Sequence, residues 1–301
     1  MLYAGGELLV RNAVRLARRF GVSSLVIGFT VVAFGTSSPE LAATLVANVQ
    51  GVPAIAIGNV IGSNIANVGL ILGLTAFIYP LSVNRRFVWR EVPVMVGITL
   101  LLIPVFWGGQ IARGEGLVLT VVLAAYLTYL LKTDAGRVVH GDPERRETAS
   151  REAASVWRAS LLALAGVVCL VLGARALVLG AVAIAEYVGV PDRVIGLSLV
   201  AVGTSLPELA ASLVAALKRE GDIILGSIVG SNVFNLLAVL GVTALVMPIP
   251  VSLLEVWLDL GVMLALSALM VPLMARRSRL SRSGAVVLLA LYAGYLLYLF
   301  A

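Results

Sequence analysis

Two glutamates stand inside apolar stretches of this chain, each at the end of the same short motif. Gly35 to Glu40 reads Gly-Thr-Ser-Ser-Pro-Glu, and Gly203 to Glu208 reads Gly-Thr-Ser-Leu-Pro-Glu. Proline removes a backbone donor and, with glycine nearby, interrupts a helix, which frees carbonyl oxygens of the preceding turn. With the hydroxyls and the carboxylate, these are hard oxygen ligands, which suit sodium, calcium or magnesium and not zinc or copper.

A carboxylate within a membrane is costly unless a cation, a base or a proton compensates its charge. No intramembrane Lys or His is placed in the sequence to pair with Glu40 or Glu208. A structural kink, with Ser and Thr re-satisfying the backbone, would explain one such motif without its glutamate. It does not explain two copies that both end in glutamate. The sequence therefore predicts a bound metal ion or a proton at these two residues.

A second motif, Gly-Ser-Asn-x-x-Asn, follows the first in each half of the chain. Its serine and its last asparagine are four residues apart, so they face the same side of a helix. We expect these side chains to turn oxygen atoms toward the first motif. They are Ser63 and Asn67 in the first half, and Ser231 and Asn235 in the second.

The two halves are related by a repeat. Residues 27–76 and 195–244 align without a gap at an offset of 168, and 25 of the 50 aligned positions are identical. Both copies contain a Gly-x-x-x-Gly spacing, beginning at Gly58 and at Gly226, which is typical of closely packed membrane helices. A duplicated polar motif within hydrophobic segments is typical of a transporter built from two halves.

The composition places the chain in a membrane: of its 301 residues 60% are hydrophobic, and the mean hydropathy is +1.04. A span needs about 20 apolar residues, and no alternating pattern of barrel strands is visible. The net charge of +6 comes from short basic clusters between apolar runs, which indicates membrane orientation and not nucleic-acid binding. The ten predicted spans are 1–17, 23–49, 53–79, 87–107, 113–132, 156–187, 192–217, 222–247, 252–274 and 281–300.

The basic clusters follow the odd-numbered spans, so the positive-inside rule places both termini outside the cell. The two copies of the motif, in spans two and seven, then cross the membrane in opposite directions. The predicted fold class is an all-α polytopic membrane protein with inverted five-helix repeats at 1–131 and 159–301, joined by a cytoplasmic linker at 132–158. Because the repeat pairs Met1 with Cys169, the first helix is expected to be truncated by two turns or more. No cleavable signal peptide and no intramolecular disulfide are expected.

With these motifs the chain resembles the sodium/calcium exchanger family of the cation/calcium antiporter superfamily, in its prokaryotic type without a large regulatory domain. The resemblance covers nearly the whole chain and implies ten helices, broken at helices 2 and 7, that exchange sodium for calcium by alternating access. It implies that Glu40 and Glu208 bind both ions. The other ligands that it implies are the carbonyls of Thr36 and Thr204 at the calcium site, the carbonyls of Ala33 and Ala201 with Ser37, Ser205, Ser63 and Ser231 at flanking sodium sites, and Asn67 and Asn235 in the middle.

Some relatives, including the potassium-dependent branch, carry Asp at one of the last two positions, whereas Asn67 and Asn235 are both amides here. The resemblance therefore implies potassium-independent transport at two central carboxylates. One calcium ion or two sodium ions neutralise these charges, and further sodium at neutral sites makes the exchange electrogenic. A membrane potential of ~100 mV is worth about 2.3 kcal/mol for each charge moved.

Three other functions are compatible with two intramembrane glutamates. A proton-coupled calcium exchanger of the same fold is the nearest, although such relatives usually show Gly-Asn-x-x-Glu in the first motif. A cation channel would need more than two singly occurring glutamates for its selectivity ring. An intramembrane enzyme could use a carboxylate dyad, but the neighbouring Ser, Thr and Asn favour ion coordination.

We expect a plasma-membrane protein with no catalytic residue, no cofactor and no nucleic-acid partner. Its partners would be membrane lipid and the transported Na⁺ and Ca²⁺ ions. The sequence does not determine the oligomeric state or the ion affinities.

Overall fold

The computed structural model describes residues 1–135, 156–187, 201–275 and 278–300. The described residues form long helices joined by short connections, with four strands of two residues each. Two of the long helices change to a wider π-helical turn partway along, at Asn67–Leu72 and Asn235–Val239. Most of the predicted 132–158 linker lies outside the described residues.

The first half contains eight α-helical segments and two strands. They are α1 Leu2–Phe20, α2 Ser24–Ile27, α3 Ala33–Thr36, α4 Ser38–Val49, α5 Pro53–Ala66, α6 Gly73–Ile78, β1 Leu81–Ser82, α7 Val92–Trp107, β2 Gln110–Ile111 and α8 Arg113–Ala135. π-Helical turns at Gly28–Val32, Asn67–Leu72 and Phe87–Glu91 join α2 to α3, join α5 to α6 and lead into α7.

The described part of the second half follows the same order. It contains α9 Val156–Tyr187, α10 Ala201–Thr204, α11 Leu206–Leu217, α12 Gly221–Phe234, α13 Leu240–Val246, β3 Ile249–Pro250, α14 Leu253–Ala275, β4 Arg279–Leu280 and α15 Arg282–Phe300. The π-helical turn Asn235–Val239 joins α12 to α13.

The sequence predicts ten membrane spans, and fewer than ten are found within the described residues. Seven helices there are long and apolar enough to cross a membrane, and α2 to α4 form an eighth candidate that bends by 42°. The predicted first span, 1–17, ends three residues before the end of α1, which continues to Phe20 and so includes Arg18 and Arg19. The predicted seventh span, 192–217, lies partly outside the described residues, which include only α10 and α11 of it.

The centre of the bundle is α12, whose residues from Ile223 to Phe234 are all buried. Its glycines allow the interrupted first-half helix to come very close: a Cβ at Gly226 would lie 2.2 Å from the Leu25 carbonyl oxygen, and one at Gly230 would lie 2.6 Å from that of Phe29. The prediction of close glycine packing is therefore confirmed in the second half. In the first half it is not, because a Cβ at Gly58 or Gly62 would meet no atom of the described residues within 4 Å.

Short antiparallel strand pairs tie the two halves together. β1 pairs with β4 through Leu81 and Leu280, and β2 pairs with β3 through Ile111 and Ile249. All four of these side chains are fully buried. Each pair joins a connection of the first half to a connection of the second, so the halves form one bundle around α12.

Candidate cation site

The first motif interrupts its helix in the same way in both halves. Ser37 separates α3 from α4 with φ −85° and ψ 3°, and Ser205 separates α10 from α11 with φ −87° and ψ 3°. The prolines at 39 and 207 lie in the first turn of the following helix, where the missing N–H costs little. Neither proline can donate to the carbonyl of the glycine four residues earlier, so each break leaves a carbonyl oxygen without its helical donor.

The breaks place Glu40 and Glu208 in the first turns of α4 and α11, where the positive end of a helix favours a carboxylate. Both side chains are buried, with 1% and 3% of their surface exposed. Each carboxylate accepts a hydrogen bond from the serine of the other half. Ser37 Oγ donates to Glu208 Oε1 over 3.2 Å, and Ser205 Oγ donates to Glu40 Oε1 over 3.5 Å.

The second motif is held by a reciprocal set of amide hydrogen bonds. Asn67 Nδ2 donates to Asn232 Oδ1 over 2.9 Å, and Asn235 Nδ2 donates to Asn64 Oδ1 over 3.0 Å. Asn64 and Asn232 also donate to each other's backbone carbonyls over 3.3 and 3.4 Å. The NH₂ groups of Asn67 and Asn235 are thereby occupied, which leaves their carbonyl oxygens as the free ends of the side chains.

Sequence reasoning missed Asn64 and Asn232, because they lie one residue off the helical face of the predicted ligands. One feature of the sequence could have indicated them: both copies of the Gly-Ser-Asn-x-x-Asn motif carry asparagine at this position. Their role in the structure is to orient the two asparagines that were predicted. The π-helical turns begin at these same two asparagines, Asn67 and Asn235, and such turns occur frequently at functional sites.

Six of the predicted site residues carry a buried side-chain oxygen that has no hydrogen-bond partner among the described residues. Leaving one such group unpaired costs about 1–3 kcal/mol, so six within two short motifs indicate a missing ligand. Four further unpaired oxygens lie outside the two motifs. The six atoms form three pairs under the repeat: Oε2 of Glu40 and Glu208, Oγ of Ser63 and Ser231, and Oδ1 of Asn67 and Asn235.

All six atoms are hard oxygen donors, the type that sodium and calcium prefer. In the part of the chain that the structure describes, no three His, Cys, Asp or Glu residues gather into a metal-binding group. The site therefore combines only two negative charges with neutral oxygens.

The remaining predicted ligands lie at the helix breaks. Thr36 ends α3, and its hydroxyl donates to the Val32 carbonyl over 3.1 Å within the same interrupted helix. The Ala33 carbonyl accepts from Ser37 N–H over 2.9 Å and, over a longer 3.4 Å, from the Thr36 hydroxyl. Ala201 begins α10, and Thr204 ends it.

The Thr204 hydroxyl donates to Asn59 Oδ1 over 3.2 Å. Asn59 is a third residue that sequence reasoning did not place at the site. The signal for it was weak, because its repeat equivalent is Ser227 and not a second asparagine.

Known proteins share both the sequence and the fold. The family model described as sodium/calcium exchanger protein matches residues 1–132 and 159–301. Sodium/calcium exchanger MaX1 of Methanosarcina acetivorans is 33% identical over 336 residues, which cover 99% of this chain and 95% of that protein. Inner membrane protein YrbG of Escherichia coli is 33% identical over 308 residues, which cover 99% and 92%.

A solved structure of the sodium-calcium exchanger NCX_Mj, soaked with 10 mM Na⁺ and zero Ca²⁺, superimposes with a TM-score of 0.82. It is 34% identical and covers 97% of this chain and 93% of its own. The chain is thus a multi-pass membrane protein whose named relatives include exchangers. The family model spans nearly the whole length of the chain, including both copies of each motif, and the chain belongs to the sodium/calcium exchanger family.

Proposed function

We propose that this protein is a secondary antiporter that exchanges sodium for calcium across the plasma membrane by alternating access. The observation that carries the proposal is the set of six buried, unpaired oxygens in three repeat-related pairs. Two of these oxygens belong to the carboxylates of Glu40 and Glu208, and both carboxylates are held in place by serines of the opposite half. A cation supplies the missing partner of such a set.

Sodium and calcium compete for the site because both neutralise the same two negative charges. One calcium ion or two sodium ions balance Glu40 and Glu208, so the ions exclude each other from the centre. Further sodium would bind at neutral oxygens, which makes the exchange electrogenic. With amides at both Asn67 and Asn235, no third carboxylate is available for potassium. The complete proposed ligand set is Glu40, Glu208, Thr36, Thr204, Ser37, Ser205, Ser63, Ser231, Asn67, Asn235, Ala33 and Ala201.

The proposed architecture has ten spans in two inverted repeats, 1–131 and 159–301, with both termini outside the cell and the linker 132–158 in the cytoplasm. The reciprocal serine–glutamate and asparagine–asparagine hydrogen bonds support it, since each bond has a counterpart at the same repeat offset. The helices without motifs, α1 and α9, pack directly on each other at Gly5 and Gly166 and are the proposed moving pair.

The proposal is tested by calcium-45 uptake into proteoliposomes loaded with sodium and diluted into sodium-free choline or potassium buffer at fixed pH. We expect uptake that depends on the outward sodium gradient, that is the same in choline and potassium, and that is lost in Glu208→Gln. Uptake that ignores sodium and follows an imposed pH gradient would overturn sodium coupling. It would make the protein a proton-coupled exchanger and both glutamates proton carriers.

A further inference from the structure

Asn59 joins the two halves of the protein beside the cation site. It lies in α5, one helical turn before Ser63. Its Nδ2 donates to Thr44 Oγ1 over 2.9 Å and to the Glu40 carbonyl over 3.3 Å, while its Oδ1 accepts from Thr204 Oγ1 over 3.2 Å. One side chain thus connects α4 of the first half to the last residue of α10 in the second half.

The repeat-equivalent position carries no such bridge. Ser227 replaces asparagine there, and its hydroxyl turns to the Ile224 carbonyl of its own helix over 3.4 Å. Ser212, the equivalent of Thr44, has no hydrogen-bond partner among the described residues. Thr36, the equivalent of Thr204, donates within its own helix. A serine hydroxyl makes all its hydrogen bonds through one atom on a shorter side chain, whereas the asparagine amide separates two donor hydrogens from its acceptor oxygen and reaches further.

We infer that Asn59 is a positioning residue that holds the Thr204 end of the interrupted helix against the first half. The cation site is therefore held differently on the two sides from which it can open. Thr204 lies one turn before Glu208, so holding it also holds that carboxylate beside Ser37. The consequence for transport rests on the proposed function. If the site opens on the side where Asn59 contacts Thr204, the Asn59–Thr204 hydrogen bond must break. Opening on the opposite side, where Ser227 stands in place of asparagine, breaks no corresponding hydrogen bond.

The first test measures local opening without any transport. Asn59→Ser gives the first half the residue that the second half has, and hydrogen exchange is compared with wild type in ion-free detergent solution. We expect the amides of residues 201–205 to open about fivefold more often, the ratio that corresponds to about 1 kcal/mol for one hydrogen bond. Residues 33–37 should not change. Equal changes at both helix breaks, or no change at either, would overturn the inference.

Asn12→Ser is the matched control, because Asn12 is also buried but bonds within its own helix, donating to the Leu8 carbonyl and accepting from Arg15 Nη1. It should leave exchange at 201–205 unchanged. A double-mutant cycle with Thr204→Val then tests the partnership itself. If Asn59 acts through Thr204, the effect of the double variant is smaller than the sum of the two single effects. Additive effects of the two changes would contradict the inference.

The second test uses transport, in vesicles with the protein in a known orientation. Asn59→Ser is expected to change the half-saturating calcium concentration about fivefold on one face and to leave the other unchanged. Equal changes on both faces would contradict an asymmetric role. If the wild-type protein exchanges no cation, the proposed function fails, while the hydrogen-exchange result still decides the role of Asn59.

Discussion

The Ser37 hydroxyl donates to Oε1 of Glu208 over 3.2 Å, from one half of the protein to the other. The reverse bond, from Ser205 to Glu40, completes the pair at 3.5 Å. In both glutamates Oε2 stays unpaired among the described residues. Each carboxylate is therefore oriented by the opposite half and presents one free oxygen, so neither half builds the site alone.

Glu40→Gln and Glu208→Gln should each abolish exchange while the protein still folds. Glutamine has the same shape, and its amide oxygen still accepts the serine hydrogen bond, so only the charge is lost. We expect a loss on the order of 100-fold in calcium-45 uptake, the ratio for about 3 kcal/mol from one charged contact. Glu255→Gln, in an exposed residue at the start of α14, is the control and should transport normally. Wild-type uptake by either site variant would contradict the assignment.

Calcium should stabilise the folded protein, and a chelator should remove this effect. A ligand that binds only the native state contributes about 2.7 kcal/mol at 100 times its Kd. Thermal unfolding of the purified protein, followed by intrinsic fluorescence, measures the shift. Glu208→Gln should show no calcium shift, because the site then lacks one of its two carboxylates. A calcium shift of wild-type size in this variant would place the stabilising ion elsewhere.

Asn64→Ala and Asn232→Ala should weaken calcium binding although neither residue is a predicted ligand. Each change removes the acceptor that holds Asn235 or Asn67. The freed amide can then turn its NH₂ group toward the ion, and loss of such orienting contacts typically costs 10- to 100-fold in affinity. Calcium titration calorimetry measures the effect.

The control for these two changes is Asn12→Ala, which removes an equally buried asparagine that bonds within α1. It should lower the melting temperature and leave the calcium Kd of the folded protein unchanged. If Asn64→Ala and Asn12→Ala behave alike in both measurements, the orienting role of Asn64 is wrong.

Gly226→Ala and Gly230→Ala should destabilise the bundle, because an added Cβ would lie 2.2 and 2.6 Å from backbone oxygens of the interrupted helix. Overpacking of this kind typically costs about 1–3 kcal/mol. Gly261→Ala in α14 is the control, since its Cβ meets nothing within 4 Å among the described residues, and it should be neutral or slightly stabilising. The measurement is thermal unfolding in detergent. Equal melting temperatures for all three variants would contradict the close packing of α12.

The sequence predicted the helix breaks, the placement of the two glutamates beside them and the shared helical face of the serine and asparagine in the second motif, because each depends on local chemistry. Proline and glycine interrupt a helix wherever they stand, and a spacing of four selects one helical face. The roles of Asn64, Asn232 and Asn59 could not be predicted in this way, since the partner that each contacts in the opposite half is more than 140 residues distant and meets it only in the assembled bundle.

The later end of the first helix also has a physical reason. The predicted span ends at residue 17, before Arg18 and Arg19, but α1 continues through them to Phe20. One face of the helix packs on the bundle through Leu9, Ala13 and Leu16, while most of its arginines lie on the opposite, exposed face. A helix with this division of faces need not end at its charges.

The central claim is that sodium and calcium compete for one site of two carboxylates. The direct measurement is calorimetric titration of the purified protein with calcium at a series of sodium concentrations. If two sodium ions replace one calcium ion, the apparent Kd for calcium rises with the square of the sodium concentration, and Glu40→Gln removes the calcium signal. A calcium Kd that does not change with sodium would contradict a shared site.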